Sequence, residues 1–293
     1  MTRHHRSIAR EISYAHSAGS RPGRAMIRLM ENSTGRLGLI RRARGYEDEV
    51  SAGRSFFEVM AERYGLSLDI GAGSLDLIPR DGPVIFIANH PYGILDGLML
   101  GYLMGRTRGD FRIMAHSVFN RAPDLNRHLL PISFDNDKAA LELNLATRRT
   151  ALGYLAEGGT VGIFPGGTVS TAAKPFSRPL DPVWRSFTAR MVAKSRAQVV
   201  PIYFDGHTSR LFQIASHLHY TLRMGLLIQE FRKRVDTPVR VAIGAPIGRD
   251  VLDPLSGDAK AMMDFLRKAT YELSPEPLEP SELGFEFEEH YRA

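Results

Sequence analysis

The stretch PVIFIANHPYGILDGLMLGYLM, residues 83–104, decides the fold. It opens with a short apolar run, Val84–Ala88, which is typical of a strand buried in a sheet that is covered on both faces. A polar turn follows, and a second apolar run of helix type, Leu98–Met104, comes after it. This order places His90 at the carboxyl end of a strand, where ligands and catalytic groups lie in open α/β sheets.

The turn also brings a carboxylate within reach of His90. Asp96 follows His90 after five intervening residues, and the turn between them contains Pro91 and Gly93, which restrict and relax the backbone respectively. A carboxylate on one imidazole nitrogen fixes the tautomer and leaves the other nitrogen free to accept a proton. The alternative is that Asp96 only caps the following helix and that His90 is an ordinary turn residue.

A second segment has the same organisation. An apolar run, Thr160–Phe164, leads into a Gly-Gly turn that ends in hydroxyl residues, Pro165-Gly166-Gly167-Thr168-Val169-Ser170. Such a turn exposes backbone N–H groups that can bind an oxyanion or a phosphate.

Strand-like and helix-like segments alternate along the remaining chain, which predicts an α/β fold: a mixed, largely parallel sheet flanked by helices, with a helical N-terminal extension. We expect three parts. Residues 1–65 form a basic helical extension, residues 66–273 form the α/β domain, and residues 274–293 form an acidic tail.

The chain of 293 residues carries a net charge of +6, and its first 54 residues hold eleven arginines against five acidic residues. A basic segment attracts phosphate groups, whether of nucleic acid or of anionic lipid. No nucleic-acid-binding motif is present, so no nucleic-acid partner is expected. Residues 24–44 read as a basic amphipathic helix that either lies on a membrane or packs on the domain, with an apolar face of Met26, Ile27, Met30 and Leu37.

Several classes of chemistry are disfavoured by composition. The chain has no cysteine, so it has no disulfide, thiolate metal site or cysteine nucleophile. Its histidines lack the spacing of metal ligands, and no Gly-x-Ser-x-Gly motif is present. No window approaches the roughly 20 apolar residues that a spanning helix needs. We therefore expect no metal and, at most, peripheral contact with a membrane.

Taken together, three blocks resemble those of the glycerolipid and lysophospholipid acyltransferase family: Asn89-His90…Asp96, Phe164–Ser170, and Val200-Pro201-Ile202. The resemblance covers roughly residues 80–250. The first block is most similar to a bacterial branch with the pattern His-Pro-x-Gly-x-x-Asp-Gly, which is labelled hemolysin-like or linked to ornithine-lipid synthesis.

The second block departs from the family's usual Phe-Pro-Glu-Gly-Thr-Arg-Ser. Gly166 stands at the Glu position and Val169 at the Arg position. The missing arginine favours an acceptor without a glycerol phosphate, or a phosphate bound instead by Lys174, Arg178 or Arg210.

The resemblance implies an O-acyltransferase, similar to 1-acylglycerol-3-phosphate acyltransferases, that works in membrane lipid synthesis at the cytoplasmic face of the inner membrane. It would move a fatty acyl chain from acyl-CoA or acyl-carrier protein to the hydroxyl of a lysophospholipid or lyso-ornithine lipid. The thioester is a co-substrate, and no other cofactor is implied. His90 would be the general base and Asp96 its orienting carboxylate. The substrate-binding residues would be Asn89, Gly93, Phe164, Pro165, Gly166, Gly167, Thr168, Ser170, Lys174 and Arg210.

Two other functions stay open. A lipid or thioester hydrolase would use the same His–Asp pair to activate water. A non-catalytic lipid-binding protein at the membrane surface would need neither residue for chemistry.

Overall fold

A computed structural model describes residues 13–116, 123–133 and 137–286. The first twelve residues of the expected extension and the last seven of the expected tail lie outside these ranges. The strands are β1 (Ser67–Ala72), β2 (Val84–Ala88), β3 (Arg112–His116), β4 (Leu129–Ile132), β5 (Thr160–Ile163), β6 (Thr171–Ala172), β7 (Pro179–Leu180), β8 (Gln198–Phe204) and β9 (Pro238–Ile243). The helices are α1 (Arg21–Thr34), α2 (Arg36–Ala43), α3 (Tyr46–Ser51), α4 (Phe56–Arg63), α5 (Ile94–Arg108), α6 (Pro123–Asn126), α7 (Lys138–Ala156), α8 (Ser186–Lys194), α9 (Arg210–Leu218), α10 (Tyr220–Arg234), α11 (Arg249–Leu252) and α12 (Ala259–Tyr271).

Seven strands form one sheet in the order β1-β9-β8-β2-β5-β3-β4, and β6 pairs with β7 in a separate hairpin. Five neighbouring strands run parallel to one another, namely β8, β2, β5, β3 and β4. Strand β9 is antiparallel to β8 and parallel to β1. The expected mixed, largely parallel sheet is therefore confirmed. The predicted strand Val84–Ala88 is β2, which lies between two parallel neighbours and is fully buried along its whole length.

The two faces of β2 pack against different sets of helices, as the alternation of side chains along a strand requires. Phe86 belongs to a cluster that includes residues of α4 and α5. Ile85 and Ile87 belong to a second cluster that includes residues of α8 and α12. Because both faces of β2 are covered, a ligand cannot contact the strand itself. It can contact the polar residues that follow the carboxyl end of β2.

The N-terminal helices pack on the sheet domain. Leu39 and Ala43 of α2 are buried in the same cluster as Phe86. The helix predicted across residues 24–44 breaks at Gly35, whose φ of 126° ends α1 and starts α2. Ile27 is fully buried, and Met30 packs against Gly225 of α10. The expectation that Ile27 and Met30 face lipid is therefore wrong, because both side chains face the protein.

Three apolar residues of this segment stay exposed, namely Met26, Leu29 and Leu37, whereas Ile40 packs partly buried against the cluster that contains Leu39. Within the described residues, no helix is long and apolar enough to cross a bilayer.

A matched pair of substitutions tests this orientation of α1. Ile27→Ala is expected to lower the free energy of unfolding by about 2–5 kcal/mol, because it leaves a cavity between α1 and α10. Met26→Ala, one position away on the exposed face, should change it by no more than about 0.5 kcal/mol. Chemical denaturation of the two variants checks the prediction. Equal effects would contradict the packing of α1 on the domain.

Candidate active site

His90 and Asp96 meet at the carboxyl end of β2. Nδ1 of His90 lies 3.0 Å from Oδ2 of Asp96, and the carboxylate is fully buried whereas 18% of the imidazole side chain is exposed. The buried carboxylate therefore faces one ring nitrogen, and the other nitrogen, Nε2, is on the far side of the ring. The sequence led us to expect this arrangement, in which two residues with five others between them in the chain meet in space.

The turn between them is held by the same carboxylate. Oδ2 of Asp96 accepts hydrogen bonds from the backbone amides of Tyr92 (2.8 Å) and Gly93 (2.9 Å). Gly93 precedes α5 with φ 80° and ψ −120°, a conformation that glycine adopts without strain. Asp96 is the third residue of α5 and caps its start. One oxygen of Asp96 thus both accepts from the amides at the start of α5 and faces the imidazole of His90.

Burial dominates the electrostatics of Asp96. Removal from water raises the pKa of its carboxyl above the ordinary value, while His90 and the amides of Tyr92 and Gly93 act in the opposite direction. Among the described residues, Oδ1 of Asp96 has no hydrogen-bond partner, and Nδ1 of His90 lies near Oδ2 without the geometry of a hydrogen bond. A buried polar atom without a partner is rare in folded proteins and costly for folding.

The glycine-rich loop after β5 lies directly against this turn. Phe164 stacks on His90 with ring centroids 4.3 Å apart, and the amide of Ser170 donates to the carbonyl of His90 (2.8 Å). Gly167 has φ 72°, and its amide donates to the carbonyl of Phe164 (3.0 Å). Because the Gly167 amide is already used, the expected oxyanion donors of the loop narrow to the amides of Gly166 and Thr168.

Asp181 joins the turn to the loop, although no pattern in the sequence indicates it. Its fully buried carboxylate accepts hydrogen bonds from the His90 amide (3.1 Å), the Ser170 hydroxyl and the Trp184 indole N–H (2.9 Å). A Cβ atom on Gly166 would lie only 3.2 Å from Cβ of Asp181. Asp181 therefore fixes the position of the His90 backbone relative to the loop, and it occupies the space beside Gly166.

Asp181→Asn is expected to destabilise the protein by about 1–3 kcal/mol. The amide oxygen can keep the two donors on Oδ1, but the new NH₂ group would face the Trp184 N–H. Chemical denaturation measures this loss. Asp264→Asn, at an exposed carboxylate paired with Lys260 four residues away, is the matched control and should change stability by no more than about 0.5 kcal/mol. If the two variants were equally stable, the hydrogen bonds of Asp181 would not hold the turn at His90 against the glycine-rich loop.

Val169 and Arg223 explain the departure from the family pattern. Val169, at the usual arginine position, is 7% exposed and packs in an apolar cluster with residues of α9 and α10. The guanidinium of Arg223, from α10, donates to the Val169 carbonyl (2.8 Å) and to the hydroxyls of Thr171 (2.7 Å) and Thr168 (3.2 Å). Arg223 is fully buried, so it supports the loop from the side that faces the protein interior.

The other predicted site residues have several different environments. Both polar atoms of the Asn89 side chain bond to the backbone of Phe204, which ties β2 to β8. Pro165 accepts a hydrogen bond from the Arg185 amide (3.0 Å). Lys174 is exposed on the loop before β7, and Arg210 donates to the carbonyl of Phe176 (2.8 Å). The fold therefore brings Gly93 and the loop residues together around His90, whereas Lys174 points to solvent.

Two cavities border this region, and His90 lines neither of them. A cavity of 1220 Å³ reaches Phe164, Pro165 and Gly167 and extends to α8 and α12. A smaller one of 340 Å³ reaches Asn89, Pro91 and Ser170. In the described part of the chain, no group of three or more histidine and acidic side chains is arranged to hold a metal ion.

Comparison with known proteins decides the family. Residues 42–277 match the family model described as acyltransferase. The chain belongs to the glycerolipid and lysophospholipid acyltransferase family. The family model covers every block on which the resemblance was based.

Relatives and a solved structure are also similar to this acyltransferase. The lyso-glycine lipid O-acyltransferase of Phocaeicola vulgatus is 23% identical over 75% of this chain and 78% of its own length. The protein with the same name from Bacteroides thetaiotaomicron is 22% identical over 78% of this chain and 82% of its own length. The 1-acyl-sn-glycerophosphate acyltransferase PlsC of Thermotoga maritima aligns with a TM-score of 0.45 and 16% identity, over 88% of this chain and 83% of its own.

Proposed function

We propose that this acyltransferase moves a fatty acyl chain from acyl-CoA or acyl-carrier protein to the hydroxyl of a lysolipid with an amino-acid head group. The observation that carries the chemistry is the His90–Asp96 pair, with a buried carboxylate 3.0 Å from Nδ1 of a partly exposed imidazole. Two curated relatives named for lyso-glycine lipid O-acylation support the acceptor class.

The reaction follows from the roles that these groups can take. Nε2 of His90 removes the proton from the acceptor hydroxyl as the oxygen bonds to the thioester carbonyl carbon. Asp96 stabilises the imidazolium that forms. The amides of Gly166 and Thr168 bind the oxyanion of the tetrahedral intermediate. The carbon–sulfur bond then breaks, and the imidazolium returns its proton to the leaving thiolate, which yields an ester and a free thiol.

Val169 supports the choice of acceptor. A phosphate head group needs a cation near the loop, yet the position where the family usually carries arginine holds a valine in an apolar cluster. Arg223 cannot take the place of that arginine. Its guanidinium is fully buried and donates to the Val169 carbonyl, so it does not face the site of a head group. An acceptor such as a lyso-glycine or lyso-ornithine lipid does not depend on this contact.

The proposal includes the location. Acyl-CoA and acyl-carrier protein are cytoplasmic, and the acceptor is a membrane lipid. We therefore assign the enzyme to the cytoplasmic face of the inner membrane as a peripheral protein.

A competition assay tests the proposal. The purified enzyme is supplied with an acyl thioester and equal amounts of lyso-glycine lipid, lyso-ornithine lipid and lysophosphatidic acid, and the products are identified by mass spectrometry. We expect an O-acylated amino-acid lipid to be the main product. Free fatty acid without acylated lipid would identify a hydrolase, and no turnover of any thioester would identify a non-catalytic lipid-binding protein. A preference for lysophosphatidic acid would contradict the argument from Val169.

A further inference from the structure

Three large apolar side chains are exposed near the catalytic end of the sheet. Phe176, in the loop between β6 and β7, is 75% exposed; Leu211 and Leu218, on α9, are 54% and 67% exposed. The two leucines are seven residues apart and so lie on one face of the helix. Arg210 donates to the carbonyl of Phe176 (2.8 Å), which brings the loop against the start of α9. We call these three residues the apolar patch.

Cations flank the apolar patch. Lys174 is exposed two residues before Phe176, and Arg210 is exposed beside Leu211. Arg178 is ion-paired with Glu276 (3.0 Å), so the attraction for an anionic surface comes chiefly from Lys174 and Arg210. Exposed apolar side chains next to basic ones match a lipid interface, where the apolar groups enter the acyl boundary and the cations meet the phosphates.

The position of the patch relates it to catalysis. The hairpin of β6 and β7, whose loop carries Phe176, begins directly after Ser170, and the Ser170 amide donates to the carbonyl of His90 (2.8 Å). Helix α9 follows β8, the parallel neighbour of β2, so it also starts from the carboxyl edge of the sheet. If the protein docks on a bilayer through the apolar patch, the carboxyl edge of the sheet, which carries His90, faces the bilayer.

We infer that the apolar patch, together with Lys174 and Arg210, is the surface by which this protein docks on an anionic lipid bilayer. The inference rests on the proposed function, because a lipid acceptor requires the active site to face a membrane. It differs from docking through α1, whose exposed apolar residues Met26 and Leu29 lie on another helix.

Vesicle sedimentation tests the inference, with vesicles of phosphatidylglycerol and phosphatidylcholine compared with pure phosphatidylcholine. The triple variant Phe176→Ser, Leu211→Ser, Leu218→Ser should bind the anionic vesicles at least about tenfold more weakly than the wild type. Lys174→Glu should weaken binding about fivefold or more, and added salt should remove that difference. The control variant Leu141→Ser, Leu145→Ser changes two exposed leucines of α7, beside the ion pair of Lys138 and Glu142, and should bind as the wild type does.

Three results would overturn the inference. They are unchanged vesicle binding by the triple variant, loss of binding only in the variant Met26→Ser, Leu29→Ser, and a change from dimer to monomer in the triple variant by light scattering. The last would identify the patch as a contact between two copies of the chain. Thermal melting of each variant confirms that it is folded.

Activity measurements keep this inference separate from the proposed function. With a short, water-soluble acceptor, kcat/KM of the triple variant should stay within about twofold of the wild type, because no patch residue is at His90. With acceptor embedded in anionic vesicles, it should fall in parallel with binding. If the wild type acylates no acceptor, the proposed function fails, while the vesicle measurements still decide whether the patch binds a bilayer.

Discussion

Replacing His90 by alanine is expected to lower kcat for acyl transfer by about a thousandfold or more, with little effect on the fold. The expected loss follows from the removal of the proposed general base, a role that contributes about 10²–10⁴-fold. Folding should be retained, because His90 is partly exposed and its backbone contacts to Ser170 and Asp181 do not depend on the side chain.

His207→Ala is the matched control for this experiment. His207 also follows a strand at the carboxyl edge of the sheet, but its Nδ1 contacts the backbone carbonyl of Thr208 (2.9 Å) rather than a carboxylate. We expect its kcat to stay within about twofold of the wild type. Single-turnover kinetics with a radiolabelled thioester would compare the two variants, and near-normal turnover by His90→Ala would refute the general-base role.

Asp96→Asn is expected to lower kcat by about a hundredfold to a thousandfold. Two backbone amides, those of Tyr92 and Gly93, donate to Oδ2, so the amide oxygen of asparagine must occupy that position. That oxygen then still lies beside Nδ1 of His90, so we expect the tautomer and orientation of the ring to be kept. The variant therefore loses the negative charge that stabilises the imidazolium, while the geometry is kept. A crystal structure of Asp96→Asn with an unmoved imidazole, together with the rate loss, would establish this separation.

The same substitution has an expected effect on stability. Burial raises the pKa of Asp96 in the folded protein, so its ionised form destabilises the fold at neutral pH. The stability that the protonated carboxyl contributes is present below the unfolded pKa and is lost as pH rises through the raised folded pKa. Asp96→Asn should therefore be at least as stable as the wild type at pH 7, and its advantage should shrink as pH is lowered toward 4. A lower free energy of unfolding for Asp96→Asn than for the wild type at pH 7 would contradict the conclusion that ionised Asp96 destabilises the fold.

The sequence predicted the elements whose causes are local. Val84–Ala88 is bounded by Pro83 and Asn89, and the structure gives β2 the same bounds because this run has no polar residue to expose. The pairing of His90 with Asp96 was predictable because the strand, the turn and the helix lie within one short segment.

Residues whose partners are distant in sequence were not predictable. Asp181 contacts the His90 amide across 91 residues, and no local pattern marks it. Arg223 reaches Thr168 across 55 residues; its only signal is a charged residue between Leu222 and Met224. The orientation of α1 depended on which face α10 would cover, and the alternation of apolar and basic residues did not specify that face.

The close approach of Gly166 and Asp181 makes the two positions interdependent. A glutamate at position 166 would bring its Cβ within 3.3 Å of Oδ2 of Asp181, a tight contact that requires the Asp181 side chain to shift. The usual family motif would therefore disturb the hydrogen bonds that Asp181 accepts in this chain. We expect grafting of that motif onto this chain to need a compensating change at Asp181 besides Gly166→Glu. We expect either change alone to destabilise the protein, since each disturbs or removes the hydrogen bonds of Asp181 to His90, Ser170 and Trp184, so the two positions should change together in evolution.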